Sequence, residues 1–189
     1  MQKFISMSQV HGNNVVLVNE KDAATIPACD GLITNSPDIA LVVRVADCLP
    51  IFLENGISKS VGVLHAGWRG LESKIIEKAI SLMNKNFKSK ASDTIVYIGP
   101  HICSKHYEIK ADVSAKFVSY TKAVVNKNGK IYLDLAQVAK EQLVKLGIKN
   151  KNIKIDKDCT FEDPELRSFR KGDKTGRSSY VFGLNIQSR

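Results

Sequence analysis

Three side chains far apart in the chain, His11, Cys48 and His65, are of the types that do metal chemistry. Two imidazoles and one thiolate make a sound ligand set for a catalytic zinc, which keeps its fourth tetrahedral position open for water or substrate. The same residues also allow a metal-free pair, with Cys48 as nucleophile and His65 as its base. The plain alternative is a His11 satisfied within a turn and a Cys48 packed as a small hydrophobe. Spacing this long and irregular does not decide among the three.

A second constellation follows His65 directly, in Ala66-Gly67-Trp68-Arg69-Gly70. Gly67 and Gly70 permit positive φ and close backbone approach. Arg69 offers a planar fork of donors suited to phosphate or carboxylate. The stretch feeds a predicted helix, whose free N–H groups favour an anion. Trp68 either stacks a ring ligand or is simply packed. A third group lies near the C-terminus: Asp158-Cys159-Thr160, Ser168-Phe169-Arg170 and Thr175-Gly176-Arg177. Asp30 and Asp47 flank Cys29 and Cys48. Read as a strand residue, Asp47 points away from Cys48; it either orients a histidine or bonds backbone.

The elements that must position these residues are legible as hydrophobic patterning. Short β-branched runs at 39–45, 49–53 and 61–65 read as buried strands, and they place Cys48 and His65 at strand ends. Further strands are expected at 15–18, 28–34, 94–98, 130–133, 153–155 and 179–184. Leu71, Ile75, Ile76, Ala79, Ile80 and Met83 recur at helical spacing, predicting a helix over 71–85. A second helix is expected over 111–120. A third opens on an Asp134/Gln137 capping box and stops at Gly147. The order β-α-β-α-β with extra paired strands predicts a layered α/β (α+β) domain with a mixed sheet.

The 189 residues suffice for one domain, taken as 1–189. No apolar run approaches the ~20 residues that span a bilayer. The N-terminus lacks a signal peptide's apolar region, so a cytoplasmic location is expected. The four cysteines form no Cys-x-x-Cys pair, which argues against disulfides and against a four-cysteine zinc site. Net charge is +9, from 28 Lys and Arg against 19 Asp and Glu. The lysines are scattered, whereas Arg69, Arg167, Arg170 and Arg177 lie in Gly- or Ser-bearing turns. The charge thus points to a small anionic ligand rather than nucleic acid. The patterning leaves the oligomeric state open.

Nine blocks occur in order: Gln9-Val-His-Gly12, Asp30-Gly-Leu-Ile-Thr34, Ala46-Asp-Cys-Leu-Pro50, His65-Ala-Gly-Trp-Arg-Gly70, Ile98-Gly-Pro-His-Ile102, Leu133-Asp-Leu135, Cys159-Thr160, Ser168-Phe-Arg170 and Thr175-Gly-Arg177. This series resembles the laccase-domain (YfiH-type) family, described as polyphenol oxidases and later as purine nucleoside phosphorylases. The resemblance implies a metal site at His11, Cys48 and His65, usually zinc, with copper also known. It implies phosphorolysis of adenosine, inosine and methylthioadenosine, with adenosine deamination beside it. Purine nucleoside and phosphate are then the partners, and the implied fold is a layered α/β/α architecture shared with a toxin deamidase. Phosphate and substrate would fall to Gly67, Trp68, Arg69, Gly70, Arg170 and Arg177, with Asp47 behind the ligands.

Two departures accompany the likeness. Family members usually carry a longer segment before the Gln-Val-His-Gly block, where only eight residues stand here, so part of the substrate pocket is expected to be missing. Leu166-Arg167 stand where the family commonly has aromatics, so a stacking contact is expected to be absent.

A four-copper oxidase is excluded by counting: such a centre needs about ten imidazoles, the preferred ligand for copper there, and this chain has four histidines. Three function classes stay in view. These are a zinc-dependent nucleoside phosphorylase, a metal-free Cys–His hydrolase or amidase, and a non-catalytic basic binding module.

Overall fold

The computed structural model describes residues 2–185. Its strands are β1 (Lys3–Met7), β2 (Val15–Leu17), β3 (Thr25–Ile26), β4 (Gly31–Thr34), β5 (Ile39–Val45), β6 (Leu49–Asn55), β7 (Ser60–Ala66), β8 (Ile95–Ile98), β9 (Glu108–Ile109), β10 (Val124–Lys127), β11 (Lys130–Leu133), β12 (Ile153–Ile155) and β13 (Ser178–Phe182). The helices are α1 (Trp68–Glu72), α2 (Ile75–Phe87), α3 (Ala111–Ser114) and α4 (Leu135–Lys145).

Six strands form a central mixed sheet in the order β12-β8-β6-β7-β4-β2. A four-stranded sheet, β13-β5-β1-β3, and a small β10-β11-β9 sheet complete the strand pairing. The period-two rule divides the central strands between two cores. Leu49, Ile51, Leu53 and Leu64 pack with Ile75, Ile76, Ala79 and Met83 of α2 and Val138 and Leu143 of α4. Leu32, Phe52, Val61 and Val63, on the other face, pack with Ile5, Ile39, Leu41 and Val43 of the four-stranded sheet. The class is the expected mixed α/β, with helices layered on a mixed sheet. The layer opposite these helices is the four-stranded sheet. Its strands β1 and β3 are short and half-polar, and so gave no clear pattern.

The helix expected over 71–85 is two helices. Ser73 ends α1, its hydroxyl donating to the Arg69 carbonyl at 2.7 Å. Lys74 then takes a left-handed conformation before α2 begins. A hydroxyl that bonds back to the preceding turn competes with helix continuation. The segment 111–120 gives only α3 and a 3-10 turn over Ala115–Phe117. Half of the expected capping box forms: the Gln137 N–H donates to Asp134 at 2.8 Å, whereas the Gln137 side chain donates to Glu141 and the Asp134 N–H to the Ala123 carbonyl, both at 2.8 Å. Gly147 follows α4 at φ 93°, a left-handed stop that suits glycine.

Candidate metal centre

β4, β6 and β7 place the candidate ligands by register. Pro50 pairs with His65 across β6 and β7, and Gly31 pairs with Leu64 across β4 and β7. Asp30, at the mouth of β4, therefore lies opposite His65. The His65 N–H donates to the Asp30 carbonyl at 2.7 Å, and the ring Nδ1 meets Asp30 Oδ1 at 2.8 Å. Cys48 falls on the face that Phe52 presents to the four-stranded sheet, two pleats away.

Asp30 is fully buried and organises both imidazoles. Besides His65, its carboxylate accepts the backbone N–H groups of Val10 (3.2 Å), His11 (2.9 Å) and Gly12 (2.7 Å). Those three bonds fix the turn in which His11 takes φ 60°. The Asn13 side chain ties the same turn to the Ser73 carbonyl at 2.6 Å. The His11 and His65 rings meet edge to face, with centroids 4.7 Å apart.

One ligand atom from each of His11, Cys48 and His65 lies within 4.8 Å of the others. Tetrahedral zinc with such ligands needs separations of roughly 3.3–3.7 Å, so shifts of about 1 Å close the set. The donor chemistry fits: two nitrogens and a thiolate suit zinc, and Asp30 on Nδ1 leaves Nε2 of His65 for a metal. Gly67 fits too, but not for the conformational reason expected. Its φ is −80°, open to any residue. A Cβ there would stand 2.9 Å from Cys48 Sγ. Gly70 is likewise a close-approach glycine, where a Cβ would lie 3.1 Å from the Gly12 carbonyl.

Charge reinforces the cluster. Burial alone would raise the Cys48 thiol; hydrogen bonding to His11 and His65 outweighs it and brings the pKa down to about 7. Burial alone would lower His65; its bonds to Asp30 and then Cys48 lift it to about 9. Asp30 is pushed up by burial, but its bonds to His65 and the Gly12 N–H hold it below the usual carboxylate range. Thiolate and imidazolium thus favour each other, and a metal would take the place of the shared proton.

Asp47 takes the second of the two roles considered for it, bonding backbone, although it does so from a bend and not from a strand. It lies in the bend between β5 and β6 at φ 85°, and it orients no histidine; that task falls to Asp30. Its carboxylate accepts Thr160 Oγ1 and the Arg170 N–H, both at 2.7 Å. Its carbonyl accepts the Ile102 N–H at 3.0 Å. A non-glycine residue at positive φ costs roughly 1–2 kcal/mol, which these bonds offset. The bend turns Cys48 toward the two histidines.

The three ligands open into a cavity of about 940 Å³ that also draws on Asp47, Gly67, Trp68, Arg69, Arg170 and Arg177. Gly70 is buried behind it. The guanidinium of Arg69 stacks on Trp68 at 4.4 Å. Arg170 lies over Tyr107 at 5.1 Å and donates to the Glu108 carbonyl at 3.0 Å. Arg177 is held by its donation to the Gly176 carbonyl at 2.6 Å. The stretch expected as a turn before the helix is itself helical: Gly67 is the N-cap and Trp68–Gly70 lie in the five-residue α1, too short to supply the dipole expected for anion binding.

Sequence reasoning missed four contributors: Asp30 as the organiser, and Arg44, Tyr107 and Gln9 on the cavity wall. Arg44 sits among apolar residues of β5, its backbone bridged by the Gln9 amide at 2.7 and 3.0 Å. Phe169 and Tyr107 both line the cavity, so ring surface is present although residues 166–167 supply none.

The fold and the cluster define a mixed-sheet protein with a three-ligand candidate metal centre at the mouth of its central sheet. The chain belongs to the family described as multi-copper polyphenol oxidoreductase laccase, whose profile matches residues 1–185. It is 32% identical to a purine nucleoside phosphorylase of Haemophilus influenzae, over 94% of this chain and 73% of the relative. It is 33% identical to a purine nucleoside phosphorylase of Rickettsia conorii, over 86% and 68%. The crystal structure of Bacillus licheniformis hypothetical protein YfiH superposes with a TM-score of 0.92 at 28% identity, covering 97% of this chain and 75% of that one.

Proposed function

We propose that the chain is a purine nucleoside phosphorylase that splits adenosine, inosine or methylthioadenosine with phosphate, with adenosine deamination as a side reaction. The observation that carries this reading is the His11–Cys48–His65 set opening into a cavity with four arginines, Arg44, Arg69, Arg170 and Arg177. Zinc, or copper in its place, would be held by those three residues and would supply Lewis-acid polarisation of a bound oxygen.

Arg69, with Arg170 and Arg177 across the cavity, binds and orients the phosphate through charge-assisted hydrogen bonds. Tyr107 and Phe169 offer ring faces to the base. A phosphate oxygen forms the bond to C1′ as the C1′–N9 bond breaks. The base leaves with that electron pair and takes up a proton. Positioning reactants this way removes much of the entropic barrier. Adenosine deamination would add water at C6 and release ammonia. Zinc deaminases use a glutamate as acid and base there. Among the described residues lining the cavity the one carboxylate is Asp47, already engaged by Thr160 and Arg170. Deamination is therefore expected to be the slower reaction, in a cytoplasmic setting where both phosphate and nucleosides occur.

The test is inosine with phosphate. Hypoxanthine and ribose 1-phosphate should form in equal amounts, and Cys48→Ala or His65→Ala should lower the rate by more than about 100-fold. Unchanged rates in both variants would refute the site.

One observation favours a second reading. Cys48, His65 and Asp30 stand in the order nucleophile, base, orienting acid, which is the arrangement of cysteine hydrolases. That enzyme would lose activity to thiol alkylation and keep it after chelation; the phosphorylase would lose activity to both.

A further inference from the structure

A second group of ligating side chains lies outside the cavity. Cys103, His106 and Glu162 each bring one ligand atom within 4.8 Å of the others. They come from two turns that face one another. In the first, His106 N–H donates to the Cys103 carbonyl at 3.0 Å, so a Cys-x-x-His pair presents both side chains from one turn. In the second, the Glu162 N–H donates to the Cys159 carbonyl at 3.0 Å. The turns are joined by the Cys103 N–H, which donates to Cys159 Sγ at 3.2 Å. His106 Nε2 lies 2.9 Å from Glu162 Oε1, and Cys103 Sγ lies 3.9 Å from the same oxygen. The His106 ring stacks on Phe161 at 4.4 Å, which fixes its plane.

We infer that Cys103, His106 and Glu162 form a second metal site, for zinc or a similarly thiophilic divalent ion. A thiol, an imidazole and a carboxylate are all established zinc ligands, and three of them with a water complete a tetrahedron. As a bare ion pair, the half-exposed His106–Glu162 contact is worth at most about 1 kcal/mol, and the converging thiol adds only a long 3.9 Å hydrogen bond to the same carboxylate oxygen. An ion gives all three groups a common partner. His106 precedes Tyr107, which lines the cavity. Cys159 precedes Thr160, which holds Asp47. The ion would therefore staple together the two turns that build one wall of the first site. Its role is structural, since its ligands do not reach the cavity lining.

The experiment counts zinc. Chelator-stripped full-length chain is dialysed against zinc chloride, and bound zinc is measured by elemental analysis, with zinc-induced thermal shift as a second readout. The wild-type chain should take up two equivalents, Cys103→Ser and His106→Gln one, Cys48→Ser one, and Cys48→Ser with Cys103→Ser none. Should Cys103→Ser fold poorly, His106→Gln and Glu162→Gln carry the test, each expected to weaken the second equivalent by more than about tenfold. Wild-type uptake unaltered in all three variants would overturn the inference, as would a single wild-type equivalent that Cys48→Ser abolishes. A single equivalent that Cys103→Ser abolishes and Cys48→Ser leaves would support this site and count against the metal reading of the first.

Discussion

Replacing Asp30 by asparagine changes one oxygen to an NH2 and almost nothing in volume. The carboxylate now accepts four N–H donors, from Val10, His11, Gly12 and His65 Nδ1. An asparagine presents one oxygen and two N–H donors of its own. Whichever way it turns, its NH2 faces backbone N–H groups or the imidazole Nδ1–H. Donors at this fully buried site then lose their acceptor, at about 1–3 kcal/mol each. Each carboxylate oxygen accepts two of the four donors, so two lose their acceptor whichever oxygen is replaced, and the expected loss of stability is roughly 2–6 kcal/mol. The His65 tautomer is no longer fixed, and the His11 turn loses its anchor. Zinc affinity should fall about 10–100-fold, the usual effect of removing an outer partner of a ligating histidine. Urea unfolding of the metal-free chain reads the first effect, and competition with a chromophoric chelator reads the second. If Asp30→Asn unfolds at the wild-type midpoint and binds zinc with wild-type affinity, the assignment of Asp30 as organiser of both histidines is refuted.

Three further predictions follow from the same geometry. His65 is raised to about 9, so its contribution to stability is complete below its unfolded pKa near 6.5 and is lost as pH rises through 9. Cys48 is lowered to about 7, so its contribution is present above its unfolded value near 9 and is lost as pH falls through 7. Between about 7 and 9 the two oppose each other; the metal-free wild type should be nearly flat in urea midpoint there, and Cys48→Ala should lose stability as pH rises above 6.5. A Gly67→Ala methyl would lie 2.9 Å from Cys48 Sγ and should displace the thiol, costing about 1–3 kcal/mol and most of the bound zinc; wild-type zinc content in that variant would contradict the packing argument. Arg69→Ala should raise the KM for phosphate by about tenfold or more, the worth of one charge-assisted bond, with the nucleoside KM little changed; steady-state kinetics with each substrate varied in turn decides it.

Much of the candidate site was open to reading because its residues close strong local patterns. Cys48 follows a β-branched run that ends at Val45, His65 stands one residue before the end of another, and Gly67 marks the end of β7. The N-cap of α4 was readable because Asp134 and Gln137 meet within three residues. What escaped depends on partners distant in sequence. The break at Ser73–Lys74 is invisible to a helical stripe that runs unbroken from Leu71 to Met83, since it comes from a hydroxyl bonding backwards and from the Asn13 amide taking the Ser73 carbonyl. β3 and β9 have two residues each, too few for any period to register. β1 buries Ile5 and Met7, but its largest side chain, Phe4, lies on the outer face and is exposed, so no alternation of apolar and polar residues marked it.

Asp30 is the instructive case, because the missing step was one of register and not of chemistry. Asp30 and Leu32 share a face of β4, and Leu32 packs with Val63. His65 shares a face of β7 with Val63, since side chains alternate at period two. Once β4 and β7 are taken as antiparallel neighbours, with Leu32 opposite Val63, Asp30 must stand opposite His65 on the same side of the sheet. The pairing itself is what the sequence withholds: β4 pairs with β7 across two intervening strands, a connection that no local pattern encodes. Parity does not apply to Asp47, which lies between β5 and β6 at φ 85°. A residue in a positive-φ bend belongs to neither face, and its carboxylate is free to turn toward Thr160 and Arg170. One buried acid then accounts for both histidines, and the other for the thiol between them, which is why a substitution at Asp30 is expected to disturb His11 as much as His65, although His11 lies 19 positions away in sequence and is tied to Asp30 only through backbone N–H bonds, its own and that of Gly12.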